Sequence, residues 1–172
     1  MARAAQIAGV IIGAALMLAA TSAGAETPLP AFSGKWTGHG SDRDTPFESL
    51  QPTQCRVTVK ADRTHMASDT NCNGVRGLSK RFHMTLAFTG HAFTGKAEQT
   101  SRRRGDSAAA TRHSGTVSGS RSGDVADFDI HFGGLTPNAH VVLKLTSPTS
   151  FSMLVTALGL TLTDVSFSRP GR

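Results

Sequence analysis

Phe32-Ser33-Gly34-Lys35-Trp36-Thr37-Gly38-His39-Gly40-Ser41 holds the only tryptophan of the 172-residue chain, with glycines at alternate positions in phase with it. Side chains of a strand alternate between its two faces. Gly34, Trp36, Gly38 and Gly40 then share one face, and Lys35, Thr37, His39 and Ser41 the other. The second set is polar and belongs in water, so Trp36 points inward. Glycine weakens a strand unless the chain must bend sharply or another group must come close. A large indole beside the missing side chains of Gly34, Gly38 and Gly40 reads as a tightly coiled first strand that plugs one end of an antiparallel barrel. The core tryptophan of a β-sandwich is the alternative.

Working outward, Cys55-Arg56-Val57-Thr58-Val59-Lys60-Ala61 alternates apolar and polar residues, the signal of a half-buried strand. A tight turn at Arg63-Thr64 pairs Ala61 with Met66, Val59 with Ser68, Val57 with Thr70 and Cys55 with Cys72. Opposed residues in an antiparallel pair lie within disulfide range. These two cysteines are the only ones in the chain, and a bridge between them is expected to stabilise by roughly 3 kcal/mol. The same arithmetic gives a second hairpin. Phe82, Met84, Leu86 and Phe88 face inward, Thr89-Gly90-His91-Ala92 turns the chain, and Phe93, Gly95 and Ala97 continue the inward face, with Phe88 opposite Phe93.

Further strands are expected over 114–120, 125–132, 140–146, 151–157 and 161–169, with turn signals such as Ser122-Gly123-Asp124, Gly133-Gly134 and Pro148 separating most of them. Ala126, Phe128, Ile130 and Phe132 face inward, as do Val141, Leu143 and Leu145. The chain is therefore expected to be all-β, a single antiparallel up-and-down barrel of eight to ten strands. An outer-membrane barrel would present an apolar face to lipid. Here the outward face repeatedly carries Lys, Arg, Asp and His, which implies a barrel in water with an apolar interior. Residues 42–46 form a loop, and its carboxylates Asp42 and Asp44, with Glu48, match no complete calcium loop; a solvated loop is expected. Residues 101–112 read as a long basic hairpin loop containing Arg102-Arg103-Arg104 and the tripeptide Arg104-Gly105-Asp106, which integrin ligands display on loop tips. No aromatics interleave with the arginines to stack on bases, so a specific nucleic-acid site is not expected.

Residues 1–25 stand apart. Arg3 gives a short positive region, Ile7 to Ala20 an apolar run, and Ala23-Gly24-Ala25 a small-x-small cleavage signal, so residues 1–25 read as a signal peptide and 26–172 as the barrel domain. The apolar run is too short and too rich in alanine and glycine for a membrane anchor. A periplasmic or secreted protein is expected, where a cysteine pair is oxidised. Residues 26–33 read as an extended, proline-stiffened arm. Arg3 is the only charged residue in the leader, so the rest carries 17 Lys+Arg against 12 Asp+Glu. That balance favours acidic partners such as envelope glycolipids, and equally serves solubility.

The residues around Trp36 carry a family resemblance. Gly34-x-Trp36 near the start of an exported all-β chain resembles the Gly-x-Trp signature of lipocalin-like (calycin) barrels. In those barrels a basic residue near the end of the last strand often packs over the tryptophan, which implies that role for Arg169. The longer Gly34-x-Trp36-x-Gly38-x-Gly40 is similar to the start of nitrobindin-type haem barrels and of uncharacterised secreted proteins from Gram-negative bacteria. The nitrobindin pattern continues to a Tyr-Pro pair, and this chain has no tyrosine.

Parity argues against haem or metal in the lumen. His39, His83, His131 and His140 fall on outward faces and His91 and His113 at turns or strand starts, so no inward ligand is found and no cofactor or metal is expected. Gly115-Thr-Val-Ser118-Gly119 lacks the spacing of a nucleophile elbow, and Asp127 and Asp129 point to solvent, where acid–base tuning is absent. A non-catalytic role is expected, in one of two classes. In the first, an interior of Phe82, Leu86, Phe88 and Phe93, with Phe128, Ile130, Phe132 and Trp36, encloses a small apolar ligand; the same side chains would also serve simply to fill a narrow lumen. In the second, the chain resembles periplasmic metalloprotease inhibitors of lipocalin-like shape, which implies a free N-terminal arm that enters the cleft of a secreted protease.

Overall fold

A computed structural model describes residues 29–74, 77–105, 109–134 and 136–170. The expected leader and cleavage site, and residues 26–28 of the arm, lie outside them. Ten strands follow a short 3-10 helix, Leu29–Phe32. They are β1 (Gly34–Asp42), β2 (Gln51–Ala61), β3 (His65–Gly74), β4 (Leu78–Thr89), β5 (Ala92–Arg103), β6 (Thr111–Ser122), β7 (Val125–Phe132), β8 (Ala139–Ser147), β9 (Ser150–Ala157) and β10 (Leu160–Ser168). Each pairs antiparallel with its neighbours in the sequence, and β1 pairs with β10, so the sheet closes on itself as an up-and-down barrel. Closure leaves no sandwich and no free edge.

The alternation read from the sequence sets the register. Cys55 lies opposite Cys72, Val57 opposite Thr70, Val59 opposite Ser68 and Ala61 opposite Met66. Asp62 closes this hairpin, its Oδ1 accepting the N–H groups of Thr64 and His65 at 2.8 Å each. In the next hairpin Phe88 lies opposite Phe93, Leu86 opposite Gly95 and Met84 opposite Ala97. Charged residues on the outward positions, among them Arg56, Asp69, Lys96 and Asp129, are exposed.

Three stretches differ from the sequence reading. Leu29–Phe32 is a 3-10 helix rather than an extended arm, because the barrel offers it partners: Trp36 Nε1 donates to Phe32 O at 2.9 Å, and Ala61 N donates to Ser33 Oγ at 2.9 Å. The expected basic loop 101–112 is shorter. Ser101, Arg102 and Arg103 continue β5, and Thr111, Arg112 and His113 open β6, with Ser101 opposite Thr111 and Gln99 opposite His113. These residues are polar and so give no apolar alternation, but the ladder hydrogen bonds extend regardless. Arg104 and Gly105 form a turn, and Asp106 of the Arg-Gly-Asp tripeptide lies outside the described residues.

The third difference is Asp42. It ends β1 and is buried, and the expected solvated loop is instead a closed ionic network. Lys80 Nζ lies 3.0 Å from Asp42 Oδ1 and 3.9 Å from Asp44 Oδ1, and it also donates to Arg43 O. Thr163 Oγ1 donates to Asp42 Oδ1 at 2.7 Å, and Arg103 pairs with Glu48 at 3.0 Å. The cation held by these carboxylates is the protein's own lysine, which removes the cost of burying an unpaired aspartate.

Around the axis, the barrel's side chains form two clusters. One gathers Trp36, Val57, Val165, Phe167 and Phe151 with the disulfide-bonded Cys55 and Cys72, whose Cα atoms are 4.0 Å apart. The other runs through β4 to β8, with Met84, Leu86, Phe93, Phe128 and Ile130 at its centre.

Candidate functional site

The Trp36 cluster closes part of one end. The turns β2–β3, β4–β5, β6–β7 and β8–β9 gather there with the 3-10 helix, since β1 starts at that end and every strand reverses direction. Gly38 lies opposite Phe167 and Gly40 opposite Val165. A Cβ on Gly38 would sit 2.5 Å from the Phe167 ring, and one on Gly40 would sit 2.0 Å from the Asp164 carbonyl oxygen. The space the glycines leave is therefore filled from β10. Phe167 stacks on Phe151 at 4.5 Å between centroids, and Phe151 meets Trp36 edge-on at 5.0 Å. The Arg169 guanidinium lies 4.6 Å from the centroid of the indole and donates to the carbonyls of Ala31 and Ser33. Cation–π contact and hydrogen bonds thus fasten the arm, the tryptophan and the last strand at one point.

Beside this wedge the barrel is hollow. A cavity of about 570 Å³ runs along it, within the usual range of small-molecule sites. Phe82, Leu86, Phe88, Phe93, Phe128, Ile130 and Phe132 all line it. Trp36, expected in the same set, does not: Phe151 and Phe167 stand between the indole and the lumen, so its inward parity leads into packed core. Several inward apolar residues of this half are only partly buried, including Phe82, Phe88, Phe132, Leu143, Met153 and Val155. Their uncovered surface faces the cavity.

The two ends of the cavity differ. Towards the turn end the lining includes Phe32, Val59, Met66 and Phe88, with Arg121 and Asp124 of the β6–β7 turn. Towards the opposite end, where the loops β1–β2, β3–β4, β5–β6 and β7–β8 gather, it includes Gln99, Ser101, Thr111, His113, Thr136 and the Asp42–Lys80 pair. His113 is the notable correction among the histidines. It shares the inward face of β6 with Val117, packs its ring edge-on at 6.2 Å from Phe132, and places Nδ1 at 2.9 Å from Thr136 Oγ1. His39, His83, His91 and His131 are exposed, and His140 is outward, between Asp127 and Asp129. Among the described residues, no three His, Cys, Asp or Glu side chains gather as a metal site.

Gln99, His113 and Lys80 were absent from the expected lumen set, although a signal for them existed. Extending the parity of Phe93 and Ala97 reaches Gln99, that of Val117 reaches His113, and that of Met84 and Phe82 reaches Lys80. Each lies beyond the point where apolar alternation stops.

Fold and cavity together define a hollow, closed, ten-stranded antiparallel up-and-down barrel. No protein-family model, no curated protein and no solved structure matches the chain. No helix among the described residues is long and apolar enough to cross a membrane.

Proposed function

We propose that the barrel is a non-catalytic carrier or sequestering protein that binds a small apolar molecule in its lumen. One observation carries this reading. Six inward side chains, Phe82, Phe88, Phe132, Leu143, Met153 and Val155, present apolar surface to a cavity of about 570 Å³ instead of to one another. Covering such surface is favourable by about 25 cal/mol per Å², and a ligand of matching size supplies the cover. The Cys55–Cys72 bridge agrees with an oxidising compartment, periplasmic or extracellular, which the expected leader also serves. The ligand is then a molecule of that compartment, an envelope component among them.

Two measurements test the proposal. Organic extraction of protein purified from its native compartment, followed by mass spectrometry, is expected to release a small apolar compound in near-stoichiometric amount. An apolar fluorescent probe such as N-phenyl-1-naphthylamine is expected to bind the stripped protein and to lose binding when Met153→Trp fills the lumen. Failure of the probe to bind the folded protein refutes the proposal.

The protease-inhibitor reading draws no support from the described part of the arm. Leu29–Ser33 is bonded to the barrel through Trp36, Ala61 and Arg169, so a free segment would have to precede Leu29.

A further inference from the structure

We infer that the loop end of the cavity is a head-group site, and that the ligand is a neutral molecule with an apolar body and one hydrogen-bonding end, such as an alcohol, a phenol or an amide. The inference rests on the lumen-binding reading above and narrows it to a chemical class.

Much of the lining is apolar, with Ser68 and Thr70 on β3 and Arg121 and Asp124 at the β6–β7 turn as polar exceptions, and the loop end gathers a further polar set that needs a reason. Gln99 and His113 lie directly opposite each other on β5 and β6, and Ser101 and Thr111 do so two residue pairs further towards the loops, on the same face. All four line the cavity. Polar groups facing an apolar lumen cost free energy unless they find hydrogen-bond partners. The imidazole of His113 is held on two sides, by Thr136 at Nδ1 and by the edge contact with Phe132. A ring held in this way keeps Nε2 as its second hydrogen-bonding atom. The amide of Gln99 offers both a donor and an acceptor across the strand pair. A ligand end with one donor and one acceptor satisfies this pair, while its body lies along Phe82, Phe93 and Phe128.

Charge decides the kind of head. Lys80 brings a cation to this end of the lining, but its ammonium is already matched by Asp42, at 3.0 Å, and Asp44, at 3.9 Å. An ionised carboxylate or phosphate seated at this end would lose its hydration without gaining an unmatched counter-charge from Lys80. A neutral head loses less and recovers it in hydrogen bonds.

The test uses three ligands of one size: naphthalene, 2-naphthol and 2-naphthoate. Each is titrated at neutral pH against the disulfide-bonded protein, with ligand fluorescence as the signal. The naphthol is expected to bind more tightly than the naphthoate. His113→Leu and Gln99→Leu are each expected to raise the ratio of the naphthol Kd to the naphthalene Kd by about two- to tenfold, the size of one neutral hydrogen bond. Because the ratio is the readout, a general loosening of the barrel does not imitate the effect, and either variant suffices if the other fails to fold. An unchanged ratio in the variants overturns the head-group site while leaving lumen binding intact. Tighter binding of the naphthoate overturns the neutral head. Failure of naphthalene and naphthol alike to bind the wild-type protein overturns the lumen reading, and the head-group site with it.

Discussion

The two halves of this barrel obey the same strand parity and reach opposite outcomes. Where β1 meets β10, inward residues vanish from solvent: Trp36 is 1% exposed, Phe167 1% and Val165 0%. Across the axis, Phe82, Phe88, Phe132 and Leu143 point inward with equal regularity and remain partly exposed, because a cavity lies between them. Inward glycines with neighbours as close occur in both halves, Gly95, Gly115 and Gly119 among them, so the difference lies in the aromatic stack that fills the first half. Gly38 and Gly40 let β10 come close enough for Phe167 and Val165 to occupy the interior, and Phe151 completes the stack. Inward-facing is therefore a statement about a strand. Packed or hollow is a statement about the opposite wall.

The largest effect that sharpens this contrast is the loss of the indole. Trp36→Ala removes a fully packed side chain and is expected to cost about 3–5 kcal/mol, a large share of a small domain's stability. Chemical denaturation should show a severely lowered midpoint or no folded baseline. Arg169→Ala is expected to cost only about 0.5–1 kcal/mol, as for a cation over a ring at an exposed site. Its loss should largely disappear in the Trp36→Ala background, and additive losses would mean that the two side chains do not act together.

Opening the covalent clasp of the same half comes next. The bridge closes a loop of sequence separation 17, and Cys55→Ser with Cys72→Ser is expected to lower stability by roughly 3 kcal/mol. Free thiols that react with a maleimide in the native, air-oxidised protein would contradict the bridge itself.

Phe82→Ala probes the hollow half. A phenylalanine deleted from a closed core costs roughly 3–5 kcal/mol, but Phe82 already borders empty volume, so less than about 2 kcal/mol is expected, together with weaker binding of an apolar probe. A loss as large as that of Trp36→Ala would break the comparison and mean that this half is packed in solution.

The smallest effect belongs to a turn that neither half depends on. The N–H groups of Thr64 and His65 hold the Asp62 carboxyl below its ordinary value of 3.8. A depressed folded pKa adds stability that is present above the ordinary aspartate range and is lost as pH falls through the lowered value. Asp62→Ala should therefore melt slightly below wild type at neutral pH, and the two curves should converge in acid. A difference that persists unchanged in acid would mean that the carboxylate is not the source of the effect.

Much of this architecture was legible in the chain. Strict alternation through Val57, Val59, Leu86, Phe128 and Ile130 marks strands half-buried on one side, and the cysteine register follows from a single turn. Export and a cleaved leader are expectations from the first 25 residues, which lie outside the described residues. The head-group end was not legible in the same way. A strand is recognised by the apolar residues it buries, and Lys80, Gln99, Ser101 and His113 are polar residues on inward positions. They resemble a loop in sequence because the signal that extends a strand is missing from them.

The sequence by itself determined the period, the all-β class, the partners across the β2–β3 and β4–β5 hairpins and which face of most strands meets water. These depend on neighbours within a few residues or one turn, where backbone geometry leaves little choice. Only the tertiary structure decided that Trp36 is covered by Phe151 and Phe167, that Asp42 has Lys80 as its counter-charge, and that His113 looks into a cavity. Each of those outcomes depends on side chains brought together from strands distant in sequence by closure of the barrel, and the volume left between two walls is a property of both walls at once.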